Sequence, residues 1–182
     1  AQKTFPSKPE WDGCNFLISY YGDYISNPGL KVSLEKAIAT KVKTKSKIRR
    51  GKDKTKHKSN ILEVVPSFSF YTDPSSHSAF IPNVTLQYKR VNNKRWMMNV
   101  GVGMGLWNQG IKNVVSVQDG VAQQKGIKLR SYLAPSLNWS FGRVKLKEGN
   151  MKGIDLGVQN HFLLGFNNSV QFAPALTIGY RF

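Results

Sequence analysis

The chain is poor in cysteine, in acids and in long apolar runs. Cys14 is the only thiol among 182 residues, so an internal disulfide and a metal site built on Cys clusters are both excluded. No run of about 18 apolar residues exists, which excludes a transmembrane helix. Asp and Glu number only 10 against 27 Lys and Arg, a net charge of +17. The three histidines, His57, His77 and His161, lie far apart with no metal-ligand spacing between them. No glycine loop of the phosphate-binding kind is present. Gly101, Gly103 and Gly105 alternate with Val102 and Met104, a strand pattern in which glycine provides packing room. No cofactor is implied. The length fits one domain.

What is present is alternation. The last residues, from Ala175 to Phe182, place Leu176, Ile178, Tyr180 and Phe182 on one face and Ala175, Thr177, Gly179 and Arg181 on the other. The same period of two recurs upstream. Leu62, Val64, Pro66, Phe68 and Phe70 oppose Glu63, Ser67 and Ser69. Phe80, Pro82, Val84, Leu86 and Tyr88 oppose Asn83, Thr85, Gln87 and Lys89. Trp96, Met98, Val100, Val102, Met104 and Leu106 oppose Asn99 and the glycines. Leu129 to Phe141, Ile154 to Leu164 and Leu30 to Ile38 repeat it. Turns fall at Ser26-Asn27-Pro28-Gly29, Asp73-Pro74-Ser75-Ser76, Asn92-Asn93, 143–152 and Asn167-Asn168, all rich in residues that favour turns. Residues 108–126 read as a tall hairpin folded at Asp119-Gly120. This gives seven clear strands. The weakly alternating segment 15–24 is the candidate for an eighth. A strand within 111–118 is the competing choice.

One face of every strand is large and apolar, and the other is Gly, Ser, Asn, Gln, Thr and charge. A soluble, lipocalin-like ligand-binding barrel needs the reverse, with the Phe68, Leu137 and Leu176 face lining the inside. The pattern instead predicts an all-β protein, a closed antiparallel transmembrane barrel of about eight strands. Lipid lies outside and a narrow polar lumen inside. An eight-stranded lumen is filled by side chains, and buried charges there must be paired. The inward charges Lys31, Lys89, Lys128, Arg130 and Arg181 are therefore expected to pair with Glu35, Glu63 and Asp155. His161, also inward, is expected to pack in the lumen. Four prolines, Pro66, Pro82, Pro135 and Pro174, share the outward parity. Each lacks a ladder donor, so each implies a local break in pairing.

The terminal Tyr180-Arg181-Phe182, with its alternating strand, resembles the C-terminal assembly signal of bacterial outer-membrane barrels. From about residue 15 to 182 the chain looks like the small eight-stranded class of the OmpA membrane domain and OmpX. Its Lys-rich turns and Pro28-Gly29-Leu30-Lys31 are similar in style to small Bacteroidetes-type barrels. The resemblance implies residence in the bacterial outer membrane among its lipid. It also implies insertion by an assembly machine that reads the last strand through Tyr180 and Phe182. The start Ala1-Gln2-Lys3 looks like the product of signal-peptide cleavage. Residues 1–14 are then a periplasmic arm and 15–182 the barrel. The resemblance transfers no catalytic residue.

The departure from that class is the segment 41–58. It carries Lys41, Lys43, Lys45, Lys47, Arg49, Arg50, Lys52, Lys54, Lys56 and Lys58 against Asp53 alone, a net +9 of the total +17. With the C-terminus periplasmic and 15–24 a strand, this basic hairpin lies in the periplasm. With 111–118 as the eighth strand instead, it lies outside. One reading of it is a solvated extension. The other is electrostatic docking to an acidic envelope protein or to lipid phosphate. Nucleic acid is not expected, since aromatics that would stack on bases are absent from 41–58. The one Ser/His/Asp cluster is Asp73, Ser76, His77 and Ser78 in a turn, a composition that turns favour without catalysis. A lipid-modifying enzyme would need His77 and one of these serines at hydrogen-bond distance. The primary reading is a non-enzymatic structural or accessory barrel that presents loops to partners.

Overall fold

The computed structural model describes residues 14–22, 27–49, 52–73, 77–92, 94–111, 114–118, 121–125, 127–147, 150–166 and 169–182. Of the proposed arm, residues 1–13 lie outside them, and Cys14 is the first residue of β1. Ten strands follow in order: β1 (Cys14–Gly22), β2 (Gly29–Arg49), β3 (Lys52–Asp73), β4 (His77–Asn92), β5 (Trp96–Ile111), β6 (Val114–Gln118), β7 (Val121–Lys125), β8 (Lys128–Lys147), β9 (Asn150–Phe166) and β10 (Ser169–Arg181). Eight of them close a ring in the order β1-β10-β9-β8-β5-β4-β3-β2, and every pair is antiparallel. Closure is made by the weakest sequence signal. β1 pairs β10 from Leu17↔Arg181 to Gly22↔Leu176, so 14–22 is the eighth strand. The competing segment forms β6, which pairs only with β7 in a separate two-stranded sheet. The tall hairpin expected at 108–126 is thus two pieces, with β5 meeting β8 at Ile111↔Lys128 below it.

The pleat turns the apolar face outward on each strand. Phe68, Val84, Val102, Leu137, Trp139 and Leu156 are exposed, whereas Ser67, Thr85, Asn99, Ser136 and Gln159 are buried. That order is the inverse of a soluble lipocalin-type wall. It matches a wall solvated by hydrocarbon, where each charge at the midplane would cost about 2–4 kcal/mol. Aromatic pairs mark both ends of the band: Phe16–Phe182 and Trp96–Phe141 near the start of β1 and the end of β10, Phe68–Phe80 and Phe162–Phe172 towards the other end.

Alternation also dictates the interior, which has three layers. Towards β6 and β7 the lumen is packed by Tyr21, Tyr71, Ile81, Trp107, Tyr132 and Leu163. At the end nearer the termini it is closed by Ile61, Val91, Met97, Val144 and Met151. Charged and amide groups lie between.

The prolines act through the ladder. The β2–β3 register skips the positions of Val65 and Pro66, the β4–β5 register those of Ile81 and Pro82, and the β8–β9 register those of Ala134 and Pro135. Pro174 stands beyond the last β1–β10 pair, Gly22↔Leu176. Each missing N–H thus falls where no ladder bond is made.

Candidate functional site

Two constellations carry charge. The first is the middle layer of the lumen. Glu35 lies at its centre. Its carboxylate accepts from Lys89 Nζ at 2.7 Å and from Arg181 Nε and Nη2, both at 2.7 Å. Lys89 also reaches Glu63 at 2.7 Å, and Arg181 Nη2 approaches Asp155 at 3.6 Å. Gln87 donates to Glu63 at 3.2 Å and accepts from Asn138 at 3.2 Å. Lys31 donates to Gln159 at 2.6 Å. The strands explain the convergence. Inward parity on β2, β3, β4, β8, β9 and β10 sends all these side chains into one narrow space. Lys31, Lys89 and Arg181 balance Glu35, Glu63 and Asp155 in formal charge. A small polar void of about 30 Å³ remains beside Lys31, Glu35 and Asp155, room for about one water.

Lys128 and Arg130 do not join this network. Lys128 is exposed and Arg130 half-exposed, at the start of β8. Arg130 stands eight positions before Asn138, a rise of about 26 Å along a strand. Parity alone points them to the lumen, but they stand at the solvent-exposed start of the strand, far from the polar layer. His161 does occupy the lumen, fully buried, and packs edge-on against Trp107 at 5.5 Å and Tyr21 at 6.2 Å.

The Ser/His/Asp turn divides between two faces. His77 pairs across the ladder with Asp73, and Ser78 with Thr72. Inside, His77 Nε2 lies 2.7 Å from the Tyr71 hydroxyl, and its Nδ1 lies 4.0 Å from Asp73. Outside, Ser78 Oγ and Thr72 Oγ1 are 2.9 Å apart. Successive residues of a strand point to opposite faces, so the pleat separates Ser78 from His77. Ser76 lies outside the described residues.

The second constellation is the basic hairpin. β2 and β3 contain 21 and 22 residues, about twice the 9–11 that a membrane strand needs. Past a bulge between Ala37 and Ala39 they stay paired, through Lys43↔Lys58, Lys45↔Lys56, Lys47↔Lys54 and Arg49↔Lys52. Lys41, Lys43 and Lys58 are exposed. Arg50 and the side chains of 45–57 lie outside the described residues. Directly opposed like charges destabilise a strand pair, so the register concentrates a charge that needs counterions. The hairpin leaves the barrel at the end where β10 finishes. There Tyr180 and Phe182 face outward with rings 5.0 Å apart, and Phe182 N donates to Phe16 O at 3.0 Å.

No protein-family model and no curated protein matches the chain. Solved structures do. The N-terminal β-barrel domain of Pseudomonas aeruginosa OprF aligns over 92% of this chain and 97% of that one, with 12% identity and a TM-score of 0.52. The fold is that of a small eight-stranded outer-membrane barrel. Neisserial surface protein A aligns over 92% of each chain with 9% identity and a TM-score of 0.49.

Proposed function

We propose that the chain is a non-enzymatic barrel of a bacterial outer membrane. It acts as a structural or accessory component that holds its basic hairpin out to an acidic partner of the cell envelope. One observation carries this reading: β2 and β3 continue as a paired ribbon beyond the lipid-facing wall, and that ribbon bears over half the net charge of the chain. A barrel whose only task was to span lipid has no use for such an extension. The filled lumen, with its balanced charges, serves as a rigid plug and not as a conduit. The outward Tyr180 and Phe182 are the contacts offered to the assembly machinery.

Because the hairpin leaves at the end where the chain terminates, the reading places it in the periplasm. The test is thiol labelling in a Cys14→Ser background, with one cysteine introduced in the hairpin, such as Lys54→Cys. A membrane-impermeant reagent should label it only after the outer membrane is opened. Labelling in intact cells would put the hairpin on the surface and remove periplasmic partners from the reading.

A further inference from the structure

The hairpin does not stand alone in its charge. On four strands the residue one outward step past the aromatic band is basic. Tyr88 is followed two positions on by Arg90, and Phe141 by Arg143 and then Lys145; Lys152 stands two positions before Ile154, and Lys36 two after Leu34. Lys94 occupies the β4–β5 turn. All six are exposed. β2, β4, β8 and β9 each contribute, so the charges are spread around the barrel and not gathered on one side. Lys41, Lys43 and Lys58 carry the same outward face into the hairpin.

The described carboxylates are Glu35, Glu63 and Asp155, all buried, and Asp73 at the opposite end. Among the described side chains this rim therefore exposes no acid, and Asp53 of the hairpin, which pairs with Ile48, is the one acid between Lys41 and Lys58. Among the described Lys, Arg, Asp and Glu side chains, the opposite end shows Lys128 and Arg130 beside Asp73. The collar adjoins the aromatic girdle itself: Arg143 lies 6.0 Å from the centroid of Trp96, which stacks on Phe141 at 4.9 Å. Aromatic rings of this kind settle at the headgroup level of a bilayer. Long basic side chains just outside them reach the phosphates with their stems along apolar surface.

We infer that this collar and the first residue pairs of the hairpin form one binding surface for anionic phospholipid headgroups, in the leaflet at the end where β10 finishes. The inference rests on the membrane-barrel reading and names the acidic partner of its basic face. Charge complementarity at a fixed depth selects phospholipid over an acidic protein. The charges encircle the wall at the lipid boundary, where a globular partner could touch only a sector. They also share the outward parity of the lipid-facing residues.

The test is electron spin resonance of spin-labelled phosphatidylglycerol and phosphatidylcholine around the full chain reconstituted in phosphatidylcholine bilayers. The fraction of each lipid immobilised at the protein gives their relative affinity. Wild type should favour phosphatidylglycerol on the order of twofold or more on average, since one basic contact near the surface is worth about fivefold at its own site. The preference should fall as salt shortens the screening length from about 10 Å at 0.1 M to about 3 Å at 1 M. A variant carrying Lys36→Gln, Arg90→Gln, Arg143→Gln, Lys145→Gln and Lys152→Gln should lose most of it while still immobilising phosphatidylcholine as wild type does. That second signal shows the variant is inserted. Equal affinities in wild type would overturn the inference and leave the hairpin to a protein partner; a preference that survives all five substitutions would overturn the collar's part in it. A wild-type chain that immobilises neither lipid would overturn the membrane reading itself, which keeps the two failures apart.

Discussion

Replacing Glu35 with Gln should be among the most damaging conservative changes in the barrel. The side chain is only 2% exposed and receives three charge-assisted hydrogen bonds of 2.7 Å, one from Lys89 and two from Arg181. Gln keeps the volume and one carbonyl acceptor but removes the charge. Lys89 retains Glu63 and Arg181 retains Asp155 at 3.6 Å, so three cations then face two anions. Breaking a buried pair from one side costs about 3–5 kcal/mol, because the partner charge stays buried without compensation. The measurement is urea unfolding of the barrel from lipid vesicles, comparing midpoints at unchanged slope. Combining Glu35→Gln with Lys89→Met removes one charge of each sign. The double variant should then lose less than the two single losses together, by about 1–3 kcal/mol. A single-variant loss under about 1 kcal/mol, or strict additivity of the pair, would refute the claim that paired charges hold the lumen together.

Other consequences follow from the same architecture. Gly157→Val should destabilise by about 1–3 kcal/mol through overpacking, because even a Cβ there meets Ser140 Cβ at 2.5 Å and Trp139 O at 2.7 Å; the same unfolding assay reads it. Leu86→Arg places a cation on the exposed lipid face and should cost about 2–4 kcal/mol near the midplane. Lys128→Ala, at the exposed start of β8, should stay within about 0.5 kcal/mol of wild type; a loss comparable to that of Glu35→Gln would return Lys128 to the buried network.

Much of the fold was legible because a barrel wall is a period-two object. Phe80 to Tyr88 and Trp96 to Leu106 can be assigned to outside and inside from sequence alone, since hydrocarbon excludes the Asn, Gln, Thr and Lys that the inner face carries. The lumen charges Lys89, Glu35, Glu63, Asp155 and Arg181 follow from the same parity. Parity fails where the membrane ends. Lys128 and Arg130 have the inward phase, but nothing in a single strand states the height at which the lumen stops. The split of 108–126 into the end of β5 and a separate β6–β7 hairpin was hidden for the same reason. Alternation continues through both, and only pairing partners distinguish them. The collar is written in the same alternation: Arg90, Arg143 and Lys152 are one outward step past the apolar band. That signal emerges only when strand ends are aligned around the ring.

The central claim is that hydrocarbon lies outside this barrel and polar packing inside. Single spin labels along β4, in a Cys14→Ser background and reconstituted in vesicles, test it directly. Labels replacing Val84, Leu86 and Tyr88 should be accessible to oxygen, which concentrates in lipid, and shielded from a water-soluble nickel reagent. Labels replacing Asn83, Thr85 and Gln87 should be shielded from both. Nickel access at 84, 86 and 88, with no alternation of oxygen access, would mean that water bathes the apolar face and would contradict the account.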